Sequence, residues 1–211
     1  MAKLPVWFTP NVKIVAAFLI LALLSAPLCA EARKYTVHPE GKNVASFALN
    51  DPFEQVNGDT KRTTGTIVAD PANVLASTVE VTVELATIDT GVKLRDEHIR
   101  DEFAEISKFP RATFKSVGIS GVTTATANQP IDINVTGDFQ LHGVTRRLTA
   151  PIRVVLIPET ELTRAQRGPG DWLHVSGRFP IKLSEFGIHV PQSFIDDKIE
   201  ITLDLFAVSS R

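Results

Sequence analysis

Apolar and polar residues alternate with a period of two along most of this chain. Thr78-Val-Glu-Val-Thr-Val-Glu-Leu85 sets Val79, Val81, Val83 and Leu85 on one face and Glu80, Thr82 and Glu84 on the other. Residues 131–141 do the same with Ile131, Ile133, Val135, Phe139 and Leu141, and residues 198–208 with Ile199, Ile201, Leu203 and Leu205. Further strands are expected at 35–37, 44–49, 62–69, 111–120, 144–158 and 172–182. One apolar and one polar face per strand is the pattern of an antiparallel sheet with one side in water. About eight or nine strands need their edges hidden, and closure into a barrel does this completely. The fold expected is therefore mainly β, an antiparallel barrel of about eight strands, with a two-sheet sandwich as the alternative.

One segment breaks the alternation. Residues 91–106 read as a helix, with Ile99, Phe103 and Ile106 on one face at spacings of four and three. Asp89 or Thr90 could cap its start, and Pro110 stops it. Such a charged helix with one apolar stripe could lie across a barrel mouth. A shorter break, Ser184 to Ile188, precedes the last strand.

The N-terminus has a different character. Lys3 and Lys13 precede an apolar run from Ile14 to Leu24, followed by Ser25, Ala26 and Pro27. This is the order of a secretory signal peptide, expected over 1–32 with cleavage after Ala30 or Ala32, leaving a domain over 33–211. The run is short for a membrane span of about 20 residues, so an uncleaved anchor is the lesser reading. Cys29, the only cysteine, falls within the leader. The mature domain would then have no disulfide, thiolate metal site or cysteine nucleophile, and would work in the periplasm or outside the cell.

Charge and composition narrow the partners. The formal net charge is −2. Loss of two lysines and one glutamate with the leader makes it −3. Nothing in it steers the protein toward nucleic acid. There are 12 Phe against 2 Trp and 1 Tyr, a set suited to dry interiors.

Several stretches together resemble the YceI-like family. Ile88-Asp-Thr-Gly91 followed by Leu94-Arg-Asp-Glu-His-Ile-Arg100 is similar to its "IDTG…RDxHLR" stretch. Phe109-Pro-Arg-Ala-Thr-Phe114, Gly137-Asp-Phe-Gln-Leu-His-Gly-Val-Thr-Arg146, Phe186-Gly-Ile188 and Ile195-Asp-Asp-Lys-Ile199 match further motifs in the same order. The resemblance spans nearly the whole domain. It implies a lipocalin-like extended barrel with a helix near its opening, a frequent periplasmic location, and in some members a polyisoprenoid, isoprenoid quinone or fatty amide held in the barrel. It brings no common catalytic activity. The chain departs from the family over Ser46 to Gly58, where a Gly-Arg-Phe turn is usual, which marks a divergent branch.

The candidate ligand-binding set is the inward face: Val81, Val83, Leu85, Phe114, Ile133, Val135, Phe139, Val175, Phe179, Ile201 and Leu203. These residues would line a cavity or fill a solid core, since small barrels do either. Arg95, His98 and Arg100 form a candidate polar rim for a ligand headgroup, with a network pinning the helix as the alternative. His142 and Gly143 sit at a hairpin, where His142 is expected to bond neighbouring main chain. Asp89, Asp96 and Asp101 show no nucleophile nearby, and Asp96 and Asp101 do not share a helix face. The five histidines, His38, His98, His142, His174 and His189, have no metal-ligand spacing. The expectation is thus an exported carrier of an apolar lipid with no catalytic residues, cofactor or metal. Transient membrane contact and a homodimer are compatible with it. The alternatives are an enzyme using the rim, with His98 beside a carboxylate, and a ligand-free envelope or stress protein that binds a partner.

Overall fold

The computed structural model describes residues 32–39, 43–50, 55–60, 62–189 and 197–210. Residues 1–31 of the expected leader, with Cys29 and the Ala30 cleavage point, and Ile195 and Asp196 of the last motif lie outside them.

The described strands are β1 (Arg33–Val37), β2 (Val44–Asn50), β3 (Gln55–Thr60), β4 (Thr63–Ala69), β5 (Thr78–Glu84), β6 (Arg111–Gly121), β7 (Pro130–Leu141), β8 (Val144–Ile157), β9 (Trp172–Lys182) and β10 (Lys198–Ser209). They form one antiparallel sheet, and β1 pairs with both β4 and β10, so eight of them close a ring: β1-β4-β5-β6-β7-β8-β9-β10. Along the edge away from β9, the long β10 serves two partners. Its residues 199–204 pair with β2, and Ala207, Val208 and Ser209 pair with β1. The β2–β3 hairpin therefore extends the wall beside β10. Asp59 of β3 then bridges to Asp89 through two main-chain bonds of 3.0 Å. A closed barrel, rather than a sandwich, is the answer the alternation left open.

Register explains why the faces separate. Val81 pairs with Phe114 and Phe114 with Phe139, all pointing inward. Gly137 also lies on this inner row: a β-carbon there would come within 2.4 Å of the Phe114 ring, so only glycine leaves room for the ring. On the outer face, opposed charges sit directly across strands. Lys115 meets Glu80 at 2.6 Å, Arg147 meets Asp138 at 2.7 Å and Arg153 meets Asp132 at 2.8 Å. Exposed pairs of this kind are weak, so the fold is held by its interior. The inner core runs from Val74 at one end to Phe186 and Ile188 at the other, with a second cluster around Tyr35, Ile67, Leu173 and Ala207.

The non-β segment differs in detail from the helix its spacing predicts. A regular helix, α1, spans only Lys93–His98 and carries no side-chain cap from Asp89 or Thr90. Ile99–Phe103 continues it as a π-turn, with the Ala104 N–H donating to the Ile99 carbonyl at 2.8 Å. That wider turn shifts the register by one residue. Phe103 and Ala104 both reach the interior beside Ile99, while Ile106 packs on the core. Residues 91–106 thus form a lid over one barrel end. A second short helix, α2 (Glu161–Arg167), lies between β8 and β9. It is started by a capping box in which the Thr160 hydroxyl accepts from the Thr163 N–H and the Thr163 hydroxyl from the Thr160 N–H.

Candidate functional site

The barrel is hollow. A cavity of about 680 Å³ runs through it from the lid end to the end closed by Asp70, Pro71, Val74, Ser77 and Ala125. Its volume falls within the roughly 300–1,000 Å³ range of small-molecule sites. The wall is almost wholly apolar. All eleven residues of the expected inward face line it: Val81, Val83, Leu85, Phe114, Ile133, Val135, Phe139, Val175, Phe179, Ile201 and Leu203.

Further lining residues lie outside that set. Phe47, Leu49 and Val56 come from the β2–β3 hairpin, Tyr35 and Ile67 from β1 and β4, and Ile99 and Phe103 from the lid. The alternation Ala45, Phe47, Leu49 was the available signal for β2. Tyr35 is among the most buried side chains, and that burial pushes its phenol up from the ordinary value, with Asp171 adding to the effect and Arg33 opposing it.

The lid end carries the basic groups. Arg95 and His98 line the cavity there, and so do Val92 and Leu94, which are 47% and 62% exposed. Arg95 donates from Nε to the Thr90 hydroxyl at 3.0 Å and from Nη2 to the Thr90 carbonyl at 3.2 Å. Arg100 does not line the cavity; its Nη1 donates to the Ile88 carbonyl at 3.1 Å. The three expected rim residues are therefore split, two at the opening and one bracing the lid from behind. His98 is half exposed, with its Nε2 4.0 Å from Glu102 on the same segment.

The carboxylates singled out in sequence have structural partners. Asp96 is 7% exposed and accepts from the Thr90 N–H at 2.8 Å and the Thr90 hydroxyl at 2.6 Å through one oxygen. Its carboxyl is held below the usual carboxylate range, first by the Thr90 hydroxyl, with the Thr90 N–H, Arg100 and Arg95 adding to the effect. Asp89 accepts from the Gly91 N–H at 2.8 Å, a local turn contact. No group of three or more His, Cys, Asp or Glu among the described residues is placed to hold a metal ion.

His142 does something the hairpin position did not suggest. It and Gly143 have positive φ values, 51° and 74°, the pattern of a type I′ turn between β7 and β8. Its ring does not bond neighbouring main chain. Nδ1 lies 3.1 Å from the Phe186 carbonyl oxygen and Nε2 lies 2.9 Å from Glu105 Oε2, at the end of the lid. The Phe109 ring packs edge-on against it with centroids 4.5 Å apart.

Comparison with known proteins agrees with this architecture. The profile of the YceI-like domain matches residues 35–207. A UPF0312 protein of Vibrio cholerae is 29% identical over 189 residues, covering 86% of this chain and 93% of that protein. Protein YceI of Salmonella newport is 27% identical over 203 residues, covering 92% and 96%. Among solved structures, Burkholderia cenocepacia BcnA superposes with a TM-score of 0.65 at 22% identity, covering 82% of this chain and 99% of that one. A polyisoprenoid binding domain from Saccharophagus degradans, implicated in plant cell wall breakdown, superposes with a TM-score of 0.63 at 13% identity, covering 85% and 100%. At these identities the superpositions speak to the fold.

Proposed function

The chain belongs to the YceI-like family, and from that membership and its hollow interior we propose that it is a non-enzymatic carrier that sequesters a long apolar lipid of the polyisoprenoid class. One observation carries the reading: a cavity of about 680 Å³ walled by apolar side chains from nearly every strand. Burial of a chain there supplies about 0.8 kcal/mol per methylene, offset by the cost of ordering chain and protein. The opening beside Val92, Leu94, Arg95 and His98 would hold the polar end. The binding domain of Saccharophagus degradans, with the same fold, supports the choice of lipid class. The leader pattern supports action after export, in the periplasm or beyond. N-terminal sequencing of the exported protein is expected to start at Glu31 or Arg33.

The direct test is organic extraction of purified protein followed by mass spectrometry of the extract. A polyisoprenoid or isoprenoid quinone released in near-stoichiometric amount is expected. Repeatedly empty extracts, together with no binding of added isoprenoid alcohols or quinones, would overturn the reading.

A further inference from the structure

The lid is fastened differently at its two ends. Its N-terminal half is held by one carboxylate and two guanidinium groups: Asp96 on Thr90, Arg95 on Thr90, and Arg100 on the Ile88 carbonyl. Its C-terminal end is held by His142 through Glu105.

The His142 contacts impose a chemical condition. A main-chain carbonyl only accepts, so Nδ1 must carry a hydrogen to bond Phe186. A carboxylate only accepts, so Nε2 must carry one to bond Glu105. Both bonds exist together only on an imidazolium. The surrounding charges are Glu105 and Lys108 on the lid side, Arg146 on the hairpin and Glu185 in the turn of residues 183–186. Lys108 binds Glu105 through its other oxygen, Oε1, and Arg146 Nε donates to the Glu185 carbonyl at 3.1 Å. Lys108 and then His142 hold the Glu105 carboxyl below its usual range, so it is a carboxylate near neutral pH. Backbone geometry marks the same spot. Glu105 and His142 are two of the three described non-glycine residues with positive φ, at 43° and 51°. Sparsely populated backbone of this kind persists where the surroundings fix it, and it gathers at switches.

We propose that His142 is a proton-operated latch on the lid. Protonated, it ties the lid's C-terminal end to the barrel rim at Glu105 and to the turn at Phe186. Neutral, it keeps the Phe186 bond but turns a bare nitrogen toward the Glu105 carboxylate, and that end of the lid is freed while the Asp96–Thr90 end holds. Ile99, Phe103 and Ala104, on the lid's inner face, then leave the cavity wall. Cargo exchange is accordingly faster as pH rises. The cargo half of this inference rests on the carrier reading above.

The test uses the full chain loaded with N-phenyl-1-naphthylamine, a neutral apolar fluorophore. Its release is followed by stopped flow at about pH 5 and pH 8, the span over which histidine charge changes. Release is expected to be about tenfold or more faster at the higher pH, the effect of losing one charge-assisted bond. His142→Asn keeps a turn residue suited to positive φ and is expected to release fast at both pH values. In Glu105→Gln the carboxamide can donate to a neutral ring, so release is expected to stay slow at both. A wild-type ratio near one, or a full ratio retained in His142→Asn, overturns the latch. Failure of the probe and of isoprenoid alcohols to bind at any pH overturns the carrier reading instead. The ¹⁵N spectrum of the His142 ring then decides the latch by itself: hydrogens on both nitrogens at about pH 5 and on Nδ1 alone at about pH 8 support it, and a ring that keeps one protonation state across that span overturns it.

Discussion

Asp96 concentrates the energetics of the lid in one side chain. A carboxylate almost removed from water persists because one of its oxygens takes two hydrogen bonds from Thr90, with Arg95 and Arg100 adding favourable charge. Asp96→Ala is expected to cost about 2 kcal/mol, since it strands the Thr90 donors; urea denaturation at neutral pH measures this. The carboxyl sits below its unfolded value of about 3.9. Its stabilisation is therefore fully present above that value and is lost as pH falls through the folded value. The gap between wild type and Asp96→Ala should close when the same titration is run at strongly acidic pH. A gap that persists there would mean that packing, not charge, supplies the stability.

At the scale of elements, the β7–β8 hairpin shows how tightly one turn is specified. Gly143 has φ 74°, and a β-carbon there would come within 2.6 Å of the Phe109 ring. Gly143→Ala is expected to lose about 1–3 kcal/mol, read as a lowered thermal midpoint, whereas a surface change such as Arg153→Ala should barely move that midpoint. The amphipathic strands were legible because their alternation is physical: each inward residue of β5, of β7 and of β10 as far as Leu205 has an outward polar neighbour. Gln55–Thr60 escaped because Gln-Val-Asn-Gly-Asp-Thr has almost no apolar alternation, and its place is fixed by pairing with β2 and by the Asp59–Asp89 bridge. Glu161–Arg167 escaped because it buries no residue, leaving only the Thr160–Thr163 box as a signal. The π-turn at Ile99–Phe103 was invisible because regular α spacing and a one-residue shift place nearly the same side chains inward. In the candidate site, strand residues could be named one by one. The His142–Glu105 contact could not, because it joins positions 37 residues apart through the third dimension.

On the scale of the whole molecule, a hollow interior reverses the usual effect of enlarging core residues. In a filled core, extra methylenes force strain; here they enter open space. Val175→Phe, on the cavity wall, is expected to leave the thermal midpoint unchanged or slightly raised while reducing the extracted lipid severalfold. Comparing unfolding curves with mass-spectrometric yield for the same preparations checks both halves. A large loss of stability would show that the wall around Val175 is already close-packed.

The seam of the ring has a consequence for how the molecule comes into being. β1 begins at Arg33 and β10 ends at Ser209, and these two strands close the barrel through Tyr35, Thr36 and Val37 opposite Ser209, Val208 and Ala207. A chain made from its N-terminus presents β10 after the other nine described strands, so the ring cannot shut until β10 has emerged. Pairing across so long a loop is slow, and until then β1 lacks the neighbour that completes its core around Tyr35. The ring thus stays open until β10 arrives to close it.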